Sequence, residues 1–500
     1  MKVQATDQGS AKQDGGRGAT FTGPNAVLLR KEAVVDHYDR LAPEREAWTR
    51  RNSFFHNEDL RYLRFLVPEG LRVLDVGCGT GDLLARLKPS KGVGVDFSAR
   101  MIDQARKAHP ECIFVLGDAE DPEVLKSVGG PFDIIFLSDT VGDLEDVEAT
   151  LRNLHPVCTP DTRVIVVYYS FLWAPVLKLG EKLGMKAPSL PQNWLRTVDI
   201  GNLLTLADFQ LIKREWRQLM PLRLLGLGRL VNRFVATLPL LRRFCLRNYV
   251  VARPRPPIDS PPLSVTVLIP CRNERGNIEA AVKRVPRFAE DMEFFFVEGH
   301  SQDGTLEEIE RVIEAYPELD IKVTVQDGKG KGDAVRKGFD MARGDVLMIL
   351  DADLTMPPED LPKFYEALKS GKGEFINGSR LVYPMQEQAM RFLNLLANHT
   401  FSLIFTFLLN QRFTDTLCGT KVLRASHYRR IAENRSYFGD FDPFGDFDLI
   451  FGAAKLNLKT VEVPIRYDAR SYGETQISRF RHGLLLLRMV VFAWRKLKAF

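Results

Sequence analysis

Short apolar runs that end in acidic residues or glycine recur along the chain. One of them, residues 346–350, leads directly into Asp351 and Asp353, and prolines at 357 and 358 then interrupt the pattern. A short apolar run bounded by such breakers is typical of a strand buried in a parallel sheet. Side chains alternate along a strand, so we expect Asp351 and Asp353 on one face, at the sheet edge where open α/β folds bind ligands.

Two carboxylates separated by a single residue favour a shared divalent cation. Mg²⁺ and Mn²⁺ prefer oxygen ligands, and such ions are often held by few carboxylates and completed by substrate phosphates. The alternative is that the two aspartates cap the next helix. The pattern therefore favours a metal site at Asp351 and Asp353, with helix capping left open.

The neighbouring runs also carry polar residues at their ends. These are Pro270, Asn273 and Glu274 after the run 265–269, Glu298 after the run 294–297, Lys329 and Lys331 in a glycine-lysine loop, Arg380 after a glycine-serine pair, and the segments 415–421 and 442–448. Taken together, over about residues 262–485, these motifs resemble the family 2 glycosyltransferases of the GT-A fold. Within that family they are most similar to the dolichyl-phosphate mannose synthase type of polyprenyl-phosphate glycosyltransferase.

This resemblance implies inverting, metal-dependent transfer of a sugar from a nucleotide-sugar to a polyprenyl phosphate or another lipid or glycan acceptor. A cation at Asp351 and Asp353 would stabilise the leaving diphosphate, and Asp446 or Asp448 would take a proton from a hydroxyl acceptor. The resemblance also places Arg470 near the phosphates as a catalytic residue. It assigns the nucleotide-sugar to Pro270, Asn273, Glu274, Glu298, Lys329, Lys331, Asp351, Arg380 and Arg391.

Three positions depart from the family's usual motifs. Glu298-Gly299 replaces a pair of aspartates, Thr355 stands where a stronger metal ligand is common, and residues 473–476 lack a lysine that contacts phosphate. The donor and the acceptor therefore need not be those of the mannose synthase.

The first half of the chain contains a second informative run. Residues 71–76 include Asp75 and lead into Gly77-x-Gly79-x-Gly81, which is followed by a helical pattern. Glycines at such a turn let a ligand approach the main chain. The spacing differs from the dinucleotide fingerprint, which has glycine where this chain has Asp82. Three further runs end in Asp96, Asp118 and Asp139, as expected for successive strands of an α/β sheet.

This series resembles the class I methyltransferases that depend on S-adenosylmethionine, over about residues 30–252. The resemblance implies that the turn at Gly77, Gly79 and Gly81, together with Asp75, binds the methionine end. It also implies that Asp96 holds the ribose hydroxyls, that Asp118 faces the adenine amine and that Asp139 lines the transfer pocket. Another nucleotide-binding Rossmann-like domain is the alternative. His155, Tyr168 and Tyr169 are candidate bases, although each is equally consistent with packing.

Residues 211–257 are strongly basic. They contain eleven Lys and Arg against one acid, Glu215, with leucine, valine and phenylalanine between them. We expect a basic amphipathic helix there, either on an anionic membrane surface or packed on the sheet with a solvated basic face. Nucleic-acid binding is not expected, because aromatic and basic residues are not interleaved. The Pro-rich tract 253–262 predicts a stiff linker and a domain boundary.

Two later segments suggest contact with lipid. Residues 392–409 are mostly apolar but include Asn394, Asn398 and His399, and about 20 apolar residues are needed to cross a bilayer. Residues 477–500 contain six basic residues and no acid. They predict a helix that lies in the membrane interface, or one that covers the sheet edge of its own domain.

Length predicts more than one domain, and composition is that of an ordinary soluble globular protein. The chain has 500 residues, 45% of them hydrophobic and 27% charged, with a net charge of +5. The six cysteines form no C-x-x-C pair, so we expect a reducing, cytoplasmic setting, peripheral at the inner face of a membrane. The predicted order is a disordered tail (1–26), a Rossmann-like methyltransferase domain (27–252), a linker (253–262), a GT-A domain (263–476) and a basic helix (477–500).

The predicted function is therefore bifunctional, with S-adenosylmethionine and Mg²⁺ or Mn²⁺ as cofactors. One alternative is that the first domain is a catalytically silent binding module attached to an active glycosyltransferase. Another is that both enzymes act on a soluble small molecule.

Overall fold

The computed structural model describes residues 26–190, 192–255, 261–380, 392–437, 447–466, 472 and 479–499. The chain divides into two compact units, residues 1–255 and 256–500, and the division falls within the tract predicted as a linker. The segments 256–260, 381–391, 438–446, 467–471 and 473–478 lie outside the described residues, as do residues 1–25, 191 and 500.

The first unit contains one seven-stranded sheet. Its strands are β1 (Arg72–Val76), β2 (Lys91–Asp96), β3 (Ile113–Leu116), β4 (Ile134–Ser138), β5 (Arg163–Tyr169), β6 (Phe209–Arg217) and β7 (Arg247–Pro254). The spatial order is β3-β2-β1-β4-β5-β7-β6, and β7 is antiparallel to both of its neighbours. The order reverses between β1 and β4, so their carboxyl ends form a switch point where such sheets bind ligands.

Helices occur between most successive strands of this sheet, as expected where neighbouring strands are parallel. They are α1 (Ala26–Arg51), α2 (Ser53–Leu66), α3 (Asp82–Arg86), α4 (Ala99–Ala108), α5 (Pro122–Ser127), α6 (Val147–Arg152), α7 (Ala174–Lys182), α8 (Thr197–Leu206) and α9 (Leu227–Leu230). The strand residues Leu74, Phe136 and Ile165 are fully buried, because the central strands are covered on both faces.

The second unit also contains a seven-stranded sheet. Its strands are β8 (Val265–Cys271), β9 (Met292–Glu298), β10 (Asp320–Val325), β11 (Val346–Ile349), β12 (Phe375–Ser379), β13 (Lys421–Arg424) and β14 (Thr460–Pro464). The order is β10-β9-β8-β11-β13-β12-β14. The predicted buried strand, β11, is parallel to β8 and antiparallel to β13. The sheet is therefore mixed, and Asp351 follows its central strand.

The helices of the second unit alternate with its strands in the first half and cluster in the second. They are α10 (Ile278–Arg284), α11 (Thr305–Ala315), α12 (Lys331–Met341), α13 (Leu361–Lys369), α14 (Phe392–Leu409), α15 (Ala425–Glu433), α16 (Phe447–Lys455) and α17 (Arg479–Leu497). Each unit thus has the α/β architecture that the sequence predicts.

The long basic amphipathic helix predicted within residues 211–257 is wrong. The segment forms β6, a series of short helical turns and β7, which pairs with β6 from Phe209–Pro254 to Arg217–Arg247. The run Tyr249-Val-Val-Ala is fully buried between two strands, and β-branched and aromatic residues favour that position over a helix surface. Residues 253 and 254 likewise belong to β7 rather than to a linker.

The predicted C-terminal helix is present as α17. Its Met489, Ala493 and Leu497 are buried, whereas Leu487 and Val491 are exposed. Tyr437 and Lys496 exchange hydrogen bonds, since Tyr437 Oη donates to the Lys496 carbonyl oxygen (2.7 Å) and Lys496 Nζ donates to the Tyr437 carbonyl oxygen (2.6 Å). One face of α17 therefore packs on its own domain.

The apolar segment 392–409, considered above as a possible membrane span, forms α14. Within the part of the chain that the structure describes, no helix is both long and apolar enough to traverse a bilayer.

The two cores predict separate responses to truncation of a buried aromatic side chain. Phe136 on β4 and Phe296 on β9 are both fully buried. Replacing either with alanine should lower the free energy of unfolding of its own unit by about 3–5 kcal/mol. Calorimetry of the full chain would measure this as a shift of one unfolding transition. The exposed Met341 is the control, and Met341→Ala should change stability by less than about 0.5 kcal/mol. Equal shifts for all three variants would contradict this assignment of the cores.

Candidate active sites

The glycine turn after β1 has backbone angles that suit only glycine. Gly77, Gly79 and Gly81 have φ of 77°, 53° and 76°, a left-handed conformation that L-residues rarely adopt. A Cβ at position 77 would lie 2.3 Å from Thr140 Oγ1, whereas one at position 79 would have no heavy atom of the described chain within 4 Å. The turn is thus closed at Gly77 and open at Gly79, where a ligand can approach the backbone.

Asp96, at the end of β2, is fixed against this turn. Its Oδ2 accepts from the Gly79 N–H (2.8 Å) and its Oδ1 accepts from the Ser98 N–H (2.9 Å). Burial raises the pKa of Asp96, and these two hydrogen bonds oppose that effect. The carboxylate is therefore oriented at the mouth of the turn, where it can accept hydrogen bonds from a ligand.

Asp75 lies beneath the turn and is almost completely buried. Burial, and secondarily the charge of Asp96, raise its pKa to about 7. Its Oδ1 has no hydrogen-bond partner among the described residues. A buried polar atom without a partner is unusual in folded proteins, and a bound polar ligand or water commonly supplies one.

A cavity of about 80 Å³ opens at this edge of the sheet. Five of the seven residues predicted to bind cofactor line it, namely Gly77, Gly79, Asp96, Asp118 and Asp139. Gly81 does not line the cavity and instead packs against the ring of Phe114. Asp118 Oδ2 accepts from Lys31 Nζ (2.7 Å) and its Oδ1 from the Glu120 N–H (2.9 Å), so its carboxylate is partnered. Asp75 does not line the cavity. The open backbone at Gly79 and the oriented carboxylate of Asp96 fit S-adenosylmethionine.

Asp139 is held by a buried cation that the sequence analysis missed. Asp139 has φ of 61° and pairs with Arg247 on β7, which also pairs with Asp59 (2.9 Å). Burial alone would lower the pKa of Arg247, but the two carboxylates raise it well above its usual value. An arginine inside the apolar run 245–252 was the available signal, because a buried charge needs a partner.

The three candidate bases lie in different environments. His155 Nε2 lies 2.7 Å from the Ala207 carbonyl oxygen, and its ring stacks on Phe209, so it packs in the core. Tyr168 is buried and lines neither cavity described in this domain. Tyr169 lines a second, larger cavity, but burial raises its pKa, which disfavours the phenolate.

In the second unit, Asp351 is surrounded by cations. Lys331 Nζ lies 2.6 Å from Asp351 Oδ1. Burial opposes ionisation of Asp351, but Lys331, Lys421 and Arg380 hold its pKa below the ordinary value. A Cβ at Gly419 would lie 1.8 Å from Asp351 Oδ2, so only glycine lets the 415–421 loop approach this carboxylate. Lys421 was part of the quoted motif, but no role had been predicted for it.

Asp353 lies two residues further along the same loop. Its Oδ1 accepts from Thr355 Oγ1 (2.9 Å) and from the Thr355 N–H (3.2 Å). Thr355 therefore orients Asp353, although the sequence analysis considered it as a weak metal ligand. Oxygen donors from Asp351 and Asp353, with cations beside them for a diphosphate, are a ligand set that fits Mg²⁺ or Mn²⁺.

Arg380 and Asp415 form a bidentate pair beside this site. Arg380 Nε donates to Asp415 Oδ2 (2.7 Å) and Arg380 Nη2 donates to Asp415 Oδ1 (2.9 Å). Burial opposes ionisation of Asp415, but Arg380 lowers its pKa below the ordinary value. The fork of Arg380 is thus fixed by a carboxylate, as befits a residue that orients its charge toward a ligand.

The remaining predicted residues shape the loops at this edge. Glu298 accepts from the N–H groups of His300 (3.0 Å) and Ser301 (2.6 Å), so it caps the loop after β9. Asn273 Oδ1 accepts from the Gln302 N–H (2.9 Å), and Asn277 Nδ2 donates to Glu274 (2.7 Å). Pro270 is the penultimate residue of β8, and Lys329 is exposed. Arg391, Asp446 and Arg470 lie outside the described residues.

Comparison with known protein families gives one match in each unit. Residues 34–214 match the family model described as a methyltransferase domain. Residues 266–432 match the model described as glycosyl transferase family 2. The first unit therefore carries a methyltransferase-family match on a Rossmann-like fold, and the second a glycosyl transferase family 2 match on a GT-A-like fold. Both predicted resemblances are confirmed.

Curated relatives match the second domain. A dolichol-phosphate mannosyltransferase of Pyrococcus furiosus is 31% identical over 220 residues, which are 43% of this chain and 59% of the relative. Glycosyltransferase AglJ of Haloferax volcanii is 29% identical, over 44% of this chain and 69% of the relative. An undecaprenyl-phosphate 4-deoxy-4-formamido-L-arabinose transferase of Edwardsiella ictaluri is 25% identical, over 45% and 64%. The chain thus spans about three-fifths of the Pyrococcus relative.

Asp75 predicts a pH dependence of stability for the first domain. Its pKa is about 7 in the folded state against an ordinary 3.8, so between these values the folded state binds the extra proton. Stability should therefore fall as pH rises through this window, by up to roughly 1.4 kcal/mol per pH unit. Asp75→Asn removes the titrating group and should flatten the profile. Calorimetry between about pH 5 and 7 measures the difference. Parallel profiles for the two proteins would contradict the raised pKa.

Proposed function

We propose that the second domain transfers a sugar from a nucleotide-diphosphate donor to a polyprenyl phosphate or another lipid-linked acceptor, with inversion. The observation that carries the proposal is the ionised Asp351, flanked by Lys331, Lys421 and Arg380 at the end of the central strand β11. The names of two relatives, a dolichol-phosphate and an undecaprenyl-phosphate transferase, support the acceptor class.

Asp351 and Asp353 would hold the divalent cation. When bound there, the cation would supply positive charge that stabilises the leaving diphosphate. The chain itself supplies the fixed positive charges around that position. Lys331 and Lys421 provide ammonium groups, and Arg380 provides a guanidinium that Asp415 keeps in one orientation. Preoriented charges of this kind need no rearrangement during the reaction.

The need for a general base depends on the acceptor. A lipid phosphate is already an anion, so its oxygen can attack without losing a proton. A hydroxyl acceptor needs a base, and Asp446 and Asp448 were the predicted candidates. Asp448 accepts from Arg435 Nε (2.9 Å) and is buried in α16, which suits a structural role.

For the first domain we propose methyl transfer from S-adenosylmethionine. Gly77, Gly79 and Gly81 would approach the methionine end, Asp96 would hold the ribose, and Asp118 and Asp139 would line the pocket. When bound, the cofactor supplies a methyl group on a positively charged sulfur. The carboxylates at the cavity wall, Asp96, Asp118 and Asp139, would provide the negative potential that a cationic ligand favours.

We further propose that the chain works in the cytoplasm, in peripheral contact with a membrane. Basic residues on α17, including Arg488 and Arg495, are exposed at positions where they could contact anionic headgroups. A membrane position would bring the second domain to a lipid-linked acceptor.

Removing either metal-site carboxylate should abolish sugar transfer. Asp351→Asn and Asp353→Asn should each lower turnover of nucleotide-sugar by at least about 100-fold, since the leaving diphosphate loses its counter-charge. A radiolabelled sugar donor measures the transfer into lipid, and calorimetry checks folding. The matched control is Asp345→Asn, which lies immediately before β11, at the opposite end of the same strand. Equal turnover in a folded Asp351→Asn, Asp353→Asn double variant would sink the proposal.

Asp96 should control binding of S-adenosylmethionine. Asp96→Asn removes the charge that faces the ribose position, so the affinity should fall by at least about tenfold. Titration calorimetry of the full chain measures it. Asp103→Asn, an exposed site on α4, should leave the affinity unchanged. If the unaltered chain binds no S-adenosylmethionine, the methyl-transfer proposal fails.

A further inference from the structure

The first domain contains a second cavity that is far larger than the cofactor pocket. Its volume is about 430 Å³, and it shares Tyr38, Arg45 and Asp139 with the smaller cavity. The two cavities therefore adjoin at these residues, and a molecule in the larger one would lie next to the position of the transferred methyl group. By its position, the larger cavity is where a methyl acceptor would bind.

Most of the wall is apolar. Leu41, Trp48, Phe55, Leu177 and Leu246 contribute to it, together with the aromatic ring of Tyr169. The two histidines in the wall, at 37 and 56, both have a pKa lowered by burial, so their rings are neutral near pH 7. A wall of this kind favours an acceptor with a long apolar part, because burying apolar surface supplies the binding energy.

The mouth of the cavity is apolar and exposed. Leu179 and Leu183 of the α7 region and Leu222 of the next segment line the cavity and are also 55%, 63% and 44% exposed. Leu225 and Leu240, in the segment that follows Leu222, are also highly exposed. We call the exposed apolar side chains of residues 176–185 and 222–244 the rim surface. Large apolar side chains exposed in this number mark an interaction site.

Two hydrogen-bonded contacts hold the parts of the rim surface together. Trp173 Nε1, just before α7, donates to the Phe244 carbonyl oxygen (2.8 Å). Asn232 accepts from the Met220 N–H (2.9 Å) and donates to the Met220 carbonyl oxygen (2.8 Å). The 218–246 segment is therefore fixed at the cavity mouth.

The charges on this segment are all positive. No acidic residue occurs from position 216 to position 258, and Arg223, Arg229, Arg233 and Arg243 are exposed among the leucines. Exposed leucine and phenylalanine beside arginine match an anionic bilayer, where apolar side chains enter the acyl boundary and cations meet the headgroups. A soluble acidic partner would not need this much exposed apolar surface.

We propose that the rim surface docks on an anionic lipid bilayer, and that the 430 Å³ cavity takes the apolar chain of an amphiphilic methyl acceptor directly from it. This inference rests on the proposed methyl transfer and names the acceptor class, a lipid-borne amphiphile. The docking face combines the α7 region with the short helical segments between β6 and β7, in place of the long helix expected from sequence.

The docking part is tested by flotation of the full chain with vesicles. The vesicles contain phosphatidylcholine with about 30% phosphatidylglycerol. The double variant Leu225→Glu, Leu240→Glu adds charge to the rim surface and should lower the floated fraction at least fivefold. The matched control is Val198→Glu, Leu206→Glu, which alters two exposed apolar residues of α8 outside the cavity wall and should float like the unaltered chain. If the rim variant floats as well as the unaltered chain, the proposal is overturned, because α17 or another surface then binds the membrane.

The cavity part is tested with dodecyl phosphate as the probe. Gly180 lines the cavity, and a Cβ there would have no heavy atom of the described chain within 4 Å, so Gly180→Phe should fill the cavity without a backbone clash. Titration calorimetry should show at least tenfold weaker probe binding to this variant, with affinity for S-adenosylmethionine changed less than twofold. Unchanged probe binding overturns the proposal. If the unaltered chain does not bind S-adenosylmethionine, the proposed methyl transfer is refuted. The flotation experiment would still show whether the rim surface binds membranes.

Discussion

The ion cluster at Asp351 is the interaction on which the second domain's site depends. A carboxylate at the end of a buried central strand is costly unless charges compensate it. Lys331 precedes β11 in sequence, Arg380 follows β12 and Lys421 begins β13, so three separate segments converge on one acid. Only the mixed sheet brings these segments together. In the proposed reaction these cations would meet the diphosphate of the anionic donor.

The charges at the site of the first domain differ from those at the site of the second. Burial raises the pKa of both Asp75 and Asp96, and Asp96 accepts hydrogen bonds from the N–H groups of Gly79 and Ser98. The carboxylates of Asp96, Asp118 and Asp139 at the cavity wall suit the sulfonium of the proposed cofactor. Under the proposed functions one chain would carry an acidic pocket for a sulfonium and a cation-lined site for a diphosphate, and each lies at the carboxyl end of parallel strands. Fold and ligand charge are thus matched separately in each domain.

Local patterns were enough to predict the strands and the acids at their ends. Apolar runs gave β1, β8 and β11, because a strand buried on both faces has little freedom in composition. Arg247 and Lys421 could not be placed, since their partners, Asp59 and Asp351, are distant in sequence. The segment 211–257 was predicted as a helix because its charges hid the alternation of an antiparallel pair. Tertiary pairing overrode local propensity there.

The central claim is that Asp351 and Asp353 hold a cation that joins a nucleotide-sugar to the second domain. The direct measurement is thermal unfolding of the full chain with nucleotide-sugars, with and without Mn²⁺, because a ligand of the folded state raises its stability. We expect the unfolding transition of the second domain to rise only when both are present, and the first domain's transition to stay in place. A rise that is the same without any divalent cation would contradict the account.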